Sequence, residues 1–393
     1  MHSRNDYIAT AANKAHNHRM NSGENLYIWQ ATDWPAWHYD LAVLAGPLAE
    51  VSRAQGLLMG RLVDVGLALR DQASLGALTD DVVKTSAIEG ELLNVESVRS
   101  SIARRLGVDV GALAPVDRHV EGVVEMVLDA SMRCDAPLTA QRLFGWHAAL
   151  FPTGYSGMTK ISVGAWRDDA NGPIRVLSGS MTRPRIHYEA PLAERLPFEM
   201  ARFLNWANET TAEPALLKAA LSHLWFVTLH PFDDGNGRIA RALGDLFLAR
   251  ADGSTQRFYS LSAQIQRERK DYYDALERTQ KGTLDVTLWL TWFLGALNRA
   301  VQSAHGTLNG VLVKARFWQK WAGTPLNARQ IKLLNRLLDG FDGKLTSSKW
   351  AAIAKCSADT ALRDINELVA LGMLRRAAGG GRSTGYELAE AMG

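Results

Sequence analysis

The stretch from His230 to Arg241 reads H-P-F-D-D-G-N-G-R-I-A-R, and it gathers a base, an oxygen ligand, two close glycines and two guanidinium groups in one short run. Pro231 disfavours a helical conformation at the residue before it, so a helix should end at His230 and leave the imidazole at the mouth of a tight loop. Gly235 and Gly237 permit backbone angles closed to other residues, which lets successive N–H groups converge on one point. That point lies at the start of the next helix, where unpaired N–H groups and the helix dipole favour an anion. Arg238 and Arg241 repel one another and oppose the dipole there, a cost that makes sense if a polyphosphate occupies the loop. Asp234 supplies a hard oxygen suited to Mg²⁺, and His230 can act as a general base. No G-x-x-x-x-G-K-[ST] run occurs, so the loop is not a Walker loop.

Two buried helices must hold this loop. Leu217, Ala220, Leu221, Leu224, Trp225 and Thr228 share one helical face before it, and Ile239, Ala242, Leu243, Leu246 and Phe247 share one after it. Elsewhere, helical spacing predicts one or two helices from Leu41 to about Arg70, with a break or first turn at Pro47. Further helices are expected at Leu78 to Glu91, Val95 to Leu106, Arg118 to Arg133, Thr139 to Leu150, Pro191 to Asn208, Ser262 to Gln280 and Val286 to Ala300. Between Ile161 and Tyr188 the texture changes. Gly164, Asn171, Gly172, Pro173, Gly179 and Pro184 punctuate short apolar stretches, the pattern of a β-hairpin in a mainly α protein. The rings from Tyr27 to Tyr39 predict a packed cap at the start of ordered chain.

The 393 residues are 47% hydrophobic and 22% charged, which excludes wholesale disorder and fibrous architectures. A net charge of +3 leaves no basic field over the whole molecule, so any nucleic-acid surface must be local. Cys134 and Cys356 are the only cysteines and form no CxxC, which argues against a disulfide framework or a structural zinc. No run of 18 uninterrupted apolar residues occurs, so no membrane span is expected. The first 20 residues lack the apolar block of a secretory signal, and residues 1–24 read as a flexible tail of a cytoplasmic protein.

At every specified position, His230 to Arg241 matches the signature H-x-F-x-[DE]-G-N-G-R-x-x-R of Fic proteins, and the chain resembles that family from about Ile28 to Ala300. The resemblance implies a helical catalytic core at 116–305 that transfers AMP from ATP, with Mg²⁺, to a Ser, Thr or Tyr hydroxyl of a target protein and of itself. On that resemblance His230 takes the hydroxyl proton, Phe232 anchors the loop and Asp234 holds the metal. Gly235, Asn236 and Gly237 form the anion hole for the α- and β-phosphates, Arg238 and Arg241 bind the outer phosphates, and Tyr273 and Gln280 border the adenine. The hairpin from Gly164 to Tyr188 looks like the family's flap, along which a target docks by strand addition.

Thr85 to Gly90, T-S-A-I-E-G, is similar to [ST]-x-x-x-E-[GN], the inhibitory motif of members that carry a blocking helix before the core. It falls in a helical region spanning 25–115. Glu89 is then expected to pair with Arg241 in bidentate fashion and hold the enzyme self-inhibited. Two other readings stay open. One is removal of AMP from a target with Glu89 aligning water, and the other is a DNA-binding regulator with the Fic core as sensor.

Residues 326–393 look like a winged helix-turn-helix, with helices at Ala328 to Leu338, Lys349 to Lys355 and Ala358 to Leu371, then Met373 to Arg376, the glycine-rich Gly379 to Gly381 and Tyr386 to Leu388. Its third helix sets Arg363 against Asp359, Asp364 and Glu367, a poor start for approaching phosphates, while Arg375, Arg376 and Arg382 make the wing basic. DNA and a second copy of the chain both stay open as partners.

Overall fold

Asn94, Asp117, Thr139 and Ser260 each precede an amphipathic run, and each accepts a hydrogen bond from the N–H three residues on, which sets where four helices begin. The computed structural model describes residues 8–10, 27–63, 66–110, 113–170, 172–180, 183–338, 341, 344–377 and 384–389. Of the expected tail only residues 8–10 are among them, and Asn171, residues 379–381 and Arg382 lie outside. The chain divides into two compact units, 1–304 and 305–393.

The first unit is built from α1 (Leu41–Val63), α2 (Leu67–Ile88), α3 (Val95–Leu106), α4 (Arg118–Met132) and α5 (Ala140–Leu150). After a hairpin come α6 (Leu196–Asn208), α7 (Ala215–Leu229), α8 (Asn236–Asp252), α9 (Leu261–Arg267), α10 (Arg269–Gln280) and, as far as Ala304, α11 (Thr287–Lys320). Both helices beside the His230 loop are buried nearly all round, so the loop between them is held from two sides. α4 and α5 pack so closely that a Cβ on Gly122 would run into the carbonyl of Ala149.

Several boundaries differ from the sequence expectation. α1 runs through Pro47 unbroken, and α2 begins at Leu67 rather than Leu78 because Leu75, Leu78 and Val82 bury one continuous face. The helix expected from Ser262 to Gln280 breaks at Glu268, whose backbone leaves the helical region (φ −110°, ψ 30°) while Arg299 takes its carboxylate through two hydrogen bonds of 2.5 and 2.6 Å. The aromatic cap forms, with Trp34 edge-on to Trp37 and Trp225 and its indole N–H on Glu199 at 3.1 Å.

The strands are few: β1 (Ile8–Thr10), β2 (Tyr155–Ser156), β3 (Thr159–Lys160), β4 (Arg175–Ser180) and β5 (Arg183–Glu189). β4 and β5 form the expected antiparallel hairpin, with a register shift between Val176 and Leu177. The outer edge of β4 takes β1, Thr10 opposite Arg175, so residues 8–10 are a strand rather than loose tail.

In the second unit α12 (Ala328–Leu338), α13 (Ser347–Ala354) and α14 (Ala358–Ala370) enclose a core of Leu333, Leu334, Trp350, Ile365 and Leu368. β6 (Leu374–Arg376) and β7 (Tyr386–Leu388) pair antiparallel, and Leu345 bridges to Tyr386. Val313, Phe317, Trp318 and Trp321 pack against the same core, so the unit starts at 305 and not at 326. Asp364 turns inward onto Arg329 and Asn327, which removes one of the acidic groups counted on the outer face of the third helix. Among the described residues no helix is long and apolar enough to cross a membrane.

Candidate functional site

α7 ends because Pro231 cannot continue it, and His230 takes the left-handed conformation (φ 45°, ψ 60°) that a non-glycine residue adopts only when its neighbours hold it there. Arg167 does the holding. Its Nε donates to the His230 carbonyl at 2.7 Å, its backbone N–H to the Pro231 carbonyl at 2.9 Å and its Nη2 to the Pro191 carbonyl at 2.5 Å, and Nη1 pairs with Asp169. Its side chain has no solvent exposure.

The His230 imidazole donates from Nδ1 to the Val227 carbonyl, which fixes the tautomer with the lone pair on Nε2. Burial, helped by the nearby charge of Arg167, lowers its pKa from 6.5 to about 4, so the ring is a neutral base at ordinary pH. Phe232 is wholly buried beneath the loop and stacks at 4.2 Å on His147, itself held neutral by burial with a pKa lowered to about 4.

Beyond Phe232 the loop is shaped by its own side chains. Asn236 accepts from the Phe232 N–H (3.0 Å) and donates to the Phe232 carbonyl (2.7 Å), so its amide locks the turn. Gly235 caps α8 with φ +78°, and a Cβ there would meet the Phe151 ring at 2.9 Å. Of the two adjacent carboxylates, Asp233 accepts from the Ser162 N–H at 2.8 Å, while Asp234 accepts from the Gly235 N–H at 2.6 Å and from the Ser156 hydroxyl and faces the cleft.

The cleft and its open mouth together take up about 770 Å³. Glu89, His230, Asp234, Gly235, Asn236, Gly237 and Arg241 line it. Tyr272, Tyr273, Leu276, Glu277 and Gln280 line it too, with Tyr272 and Tyr273 near enough to feel the charges of Glu89 and Arg241, and the hairpin contributes Val176, His187 and Tyr188. Gln280 donates to the Thr228 hydroxyl at 3.2 Å, and Tyr188 donates to the Thr228 carbonyl at 2.6 Å, so hairpin, α7 and α10 meet at one residue.

Glu89 caps the C-terminus of α2 and reaches Arg241, Nη2 to Oε1 at 2.7 Å. The contact is single rather than bidentate, because the Arg241 Nε is taken by the Thr85 hydroxyl at 2.7 Å and Nη2 also donates to the Thr85 carbonyl at 3.0 Å. Thr85 and Glu89, the two fixed side chains of the T-S-A-I-E-G run, thus grip one guanidinium. Arg241 Nη1 is buried without a partner, and a Cβ on Gly237 would strike the Glu89 carboxylate. Arg238 does not line the cleft: its guanidinium lies over the Phe151 ring at 5.1 Å and donates to Glu91 at 2.8 Å.

Among the described residues no three metal-ligating side chains cluster. Sequence reading missed Arg167, Ser156, His147 and Glu91. Their partners are backbone groups or residues far along the chain, so no local pattern marked them.

Residues 137–248 match the Fic/DOC family, and residues 27–108 match a domain of unknown function, DUF4172. The Fic/DOC match takes in the whole His230 loop and both helices that flank it as far as Leu248. It is 34% identical over 131 residues to a uridine 5'-monophosphate transferase of Xanthomonas campestris pv. campestris, which covers 29% of this chain and 22% of that protein. It is 37% identical over 98 residues to a protein adenylyltransferase Fic of Nematostella vectensis (24% and 21% covered) and 26% identical over 264 residues to one of Culex quinquefasciatus (58% and 45% covered). The chain thus spans less than half the length of these curated relatives. In fold it is similar to a Fic family protein from Desulfovibrio desulfuricans G20, with a TM-score of 0.50 at 22% identity over 88% of this chain and 95% of that one.

Proposed function

From a chain that matches the Fic/DOC family over residues 137–248 and is similar to Fic adenylyltransferases, we propose a protein adenylyltransferase held in check by its own Glu89. The observation that carries this reading is one cleft holding a neutral His230, with its lone pair on Nε2, beside a glycine-shaped helix N-terminus and a buried Arg241 with an unpartnered nitrogen. His230 accepts the proton of the target hydroxyl, that oxygen bonds to the α-phosphorus of ATP, and the bond to the β-phosphate oxygen breaks with pyrophosphate leaving. The N–H groups at the start of α8 and the Arg241 guanidinium stabilise the charge on the phosphates.

Asp234 is the carboxylate of the loop that faces the cleft, and a Mg²⁺ that keeps its waters and phosphate oxygens needs only one or two carboxylates. When bound, the ion supplies charge neutralisation at the phosphates. Asp234 would hold it, with the Ser156 hydroxyl orienting the carboxylate. Tyr273 and Gln280, which line the same cleft, take the base.

A target segment docks in extended form on the outer edge of β4, which works as a flap. Support comes from β1, which already pairs with that edge from Arg175 to Leu177 and whose place the target segment takes there. Glu89 occupies the guanidinium that the outer phosphates need and so keeps transfer slow.

Incubation of the protein and of its Glu89→Gly variant with α-labelled ATP, and separately α-labelled UTP, tests the reading. Label on protein from ATP, identified by mass spectrometry as AMP on a hydroxyl side chain, is expected. Label from UTP alone would instead make it a uridylyltransferase.

A further inference from the structure

α2 ends in a tight turn whose geometry places two carboxylates, not one, against the loop. Glu89 is the cap, Gly90 takes φ +88°, and the N–H groups of Gly90 and Glu91 return to the carbonyls of Ala87 and Ser86 at 3.1 and 3.0 Å. This double closure is a Schellman motif, and the glycine makes it possible. It fixes the offset between Glu89 and Glu91, so that anchoring either side chain places the other.

Glu91 is anchored from two further elements. Its Oε2 accepts from Arg238 Nη1 on α8 at 2.8 Å and from His119 Nε2 on α4 at 3.1 Å. The Arg238 side chain is only 2% exposed, is fixed over Phe151 and stays out of the cleft, so it is a rigid anchor and not a solvated cation. Burial works to raise the Glu91 pKa, but the His119 hydrogen bond and the Arg238 charge outweigh it and keep the group ionised. The Glu89 carboxylate is held by Arg241 through a charged contact at 2.7 Å.

We propose that Glu91, clamped by Arg238 and His119, is the positioning residue that keeps Glu89 on Arg241. The proposal rests on the reading that Glu89 restrains transfer. Arg238, which the sequence resemblance assigns to phosphate, then serves the inhibited state by holding the turn.

The isosteric Glu91→Gln removes the charge with little change of shape, and His119→Gln removes the other side of the clamp. Label transfer from α-labelled ATP and ATP affinity by calorimetry are measured for both, for Glu89→Gly and for the Glu89→Gly/Glu91→Gln double variant, with thermal melting as a check on folding. Glu91→Gln is expected to raise transfer about tenfold, as a misplacement of about 1 Å would allow. His119→Gln should raise it by less, and the double variant should match Glu89→Gly alone, because the clamp has nothing left to position.

A double variant well above Glu89→Gly would overturn the proposal, since Glu91 would then be restraining Arg238 in its own right. No gain in Glu91→Gln, alongside a gain in Glu89→Gly, would also overturn it and leave the self-inhibition reading intact. No gain in Glu89→Gly would remove the self-inhibition reading on which the proposal stands.

Discussion

A histidine buried with its Nδ1 proton given to a backbone carbonyl can do only one thing at Nε2, which is accept. His230 is in that state, and its pKa, lowered to about 4, sets a pH dependence whose sign can be worked out. The base works when neutral. An ordinary imidazole would lose that form below pH about 6.5, whereas His230 should keep it down to about 4. Initial rates of the Glu89→Gly variant between pH 5 and 8 should therefore show no acid limb near 6.5. A half-maximal point at 6 or above would mean that another group is the base. His230→Ala should abolish transfer while calorimetry finds ATP affinity within about threefold, because the imidazole acts on the hydroxyl and adds little to phosphate binding. Unchanged turnover in that variant would remove His230 from the chemistry.

Elements place these residues by close approach, and α4 and α5 meet at Gly122 with no room for a side chain. Gly122→Ala would gain helix propensity yet push a methyl into the Ala149 carbonyl, so a net loss of about 1–3 kcal/mol is expected, read as a lower Tm. The His230 loop was legible in the sequence because Pro231, Gly235 and Gly237 punctuate it where the backbone needs them. The hairpin was legible for the same reason. Less was visible where chain geometry depends on distant partners. A helix was expected only from Val286 to Ala300, yet α11 continues to Lys320. Toward its end, Val313, Phe317 and Trp318 bury against residues much later in the chain. Arg167 left no trace in the sequence because three of its partners are backbone carbonyls of Pro191, His230 and Pro231.

At the scale of the molecule, the net charge of +3 conceals a division. Residues 305–393 carry 13 Lys and Arg against 7 Asp and Glu, so the remainder is acidic at −3, and the attraction for phosphate proposed for the cleft must come from the loop and not from a field of its unit. Against that background a helix N-terminal to the stretch that matches the Fic/DOC family delivers Glu89 to Arg241, and this contact joins the two stretches of chain that matched separately, 27–108 and 137–248. The account stands or falls on what that contact does. The direct measurement is incorporation of label from α-labelled ATP into protein by the wild-type chain and by Glu89→Gly at equal concentration, with a pre-labelled target run alongside to detect AMP removal. Freeing Arg241 should raise incorporation by about tenfold or more, since the phosphates would no longer be displaced from line. Incorporation that is equal or lower in Glu89→Gly, with ATP binding unchanged, would contradict the account.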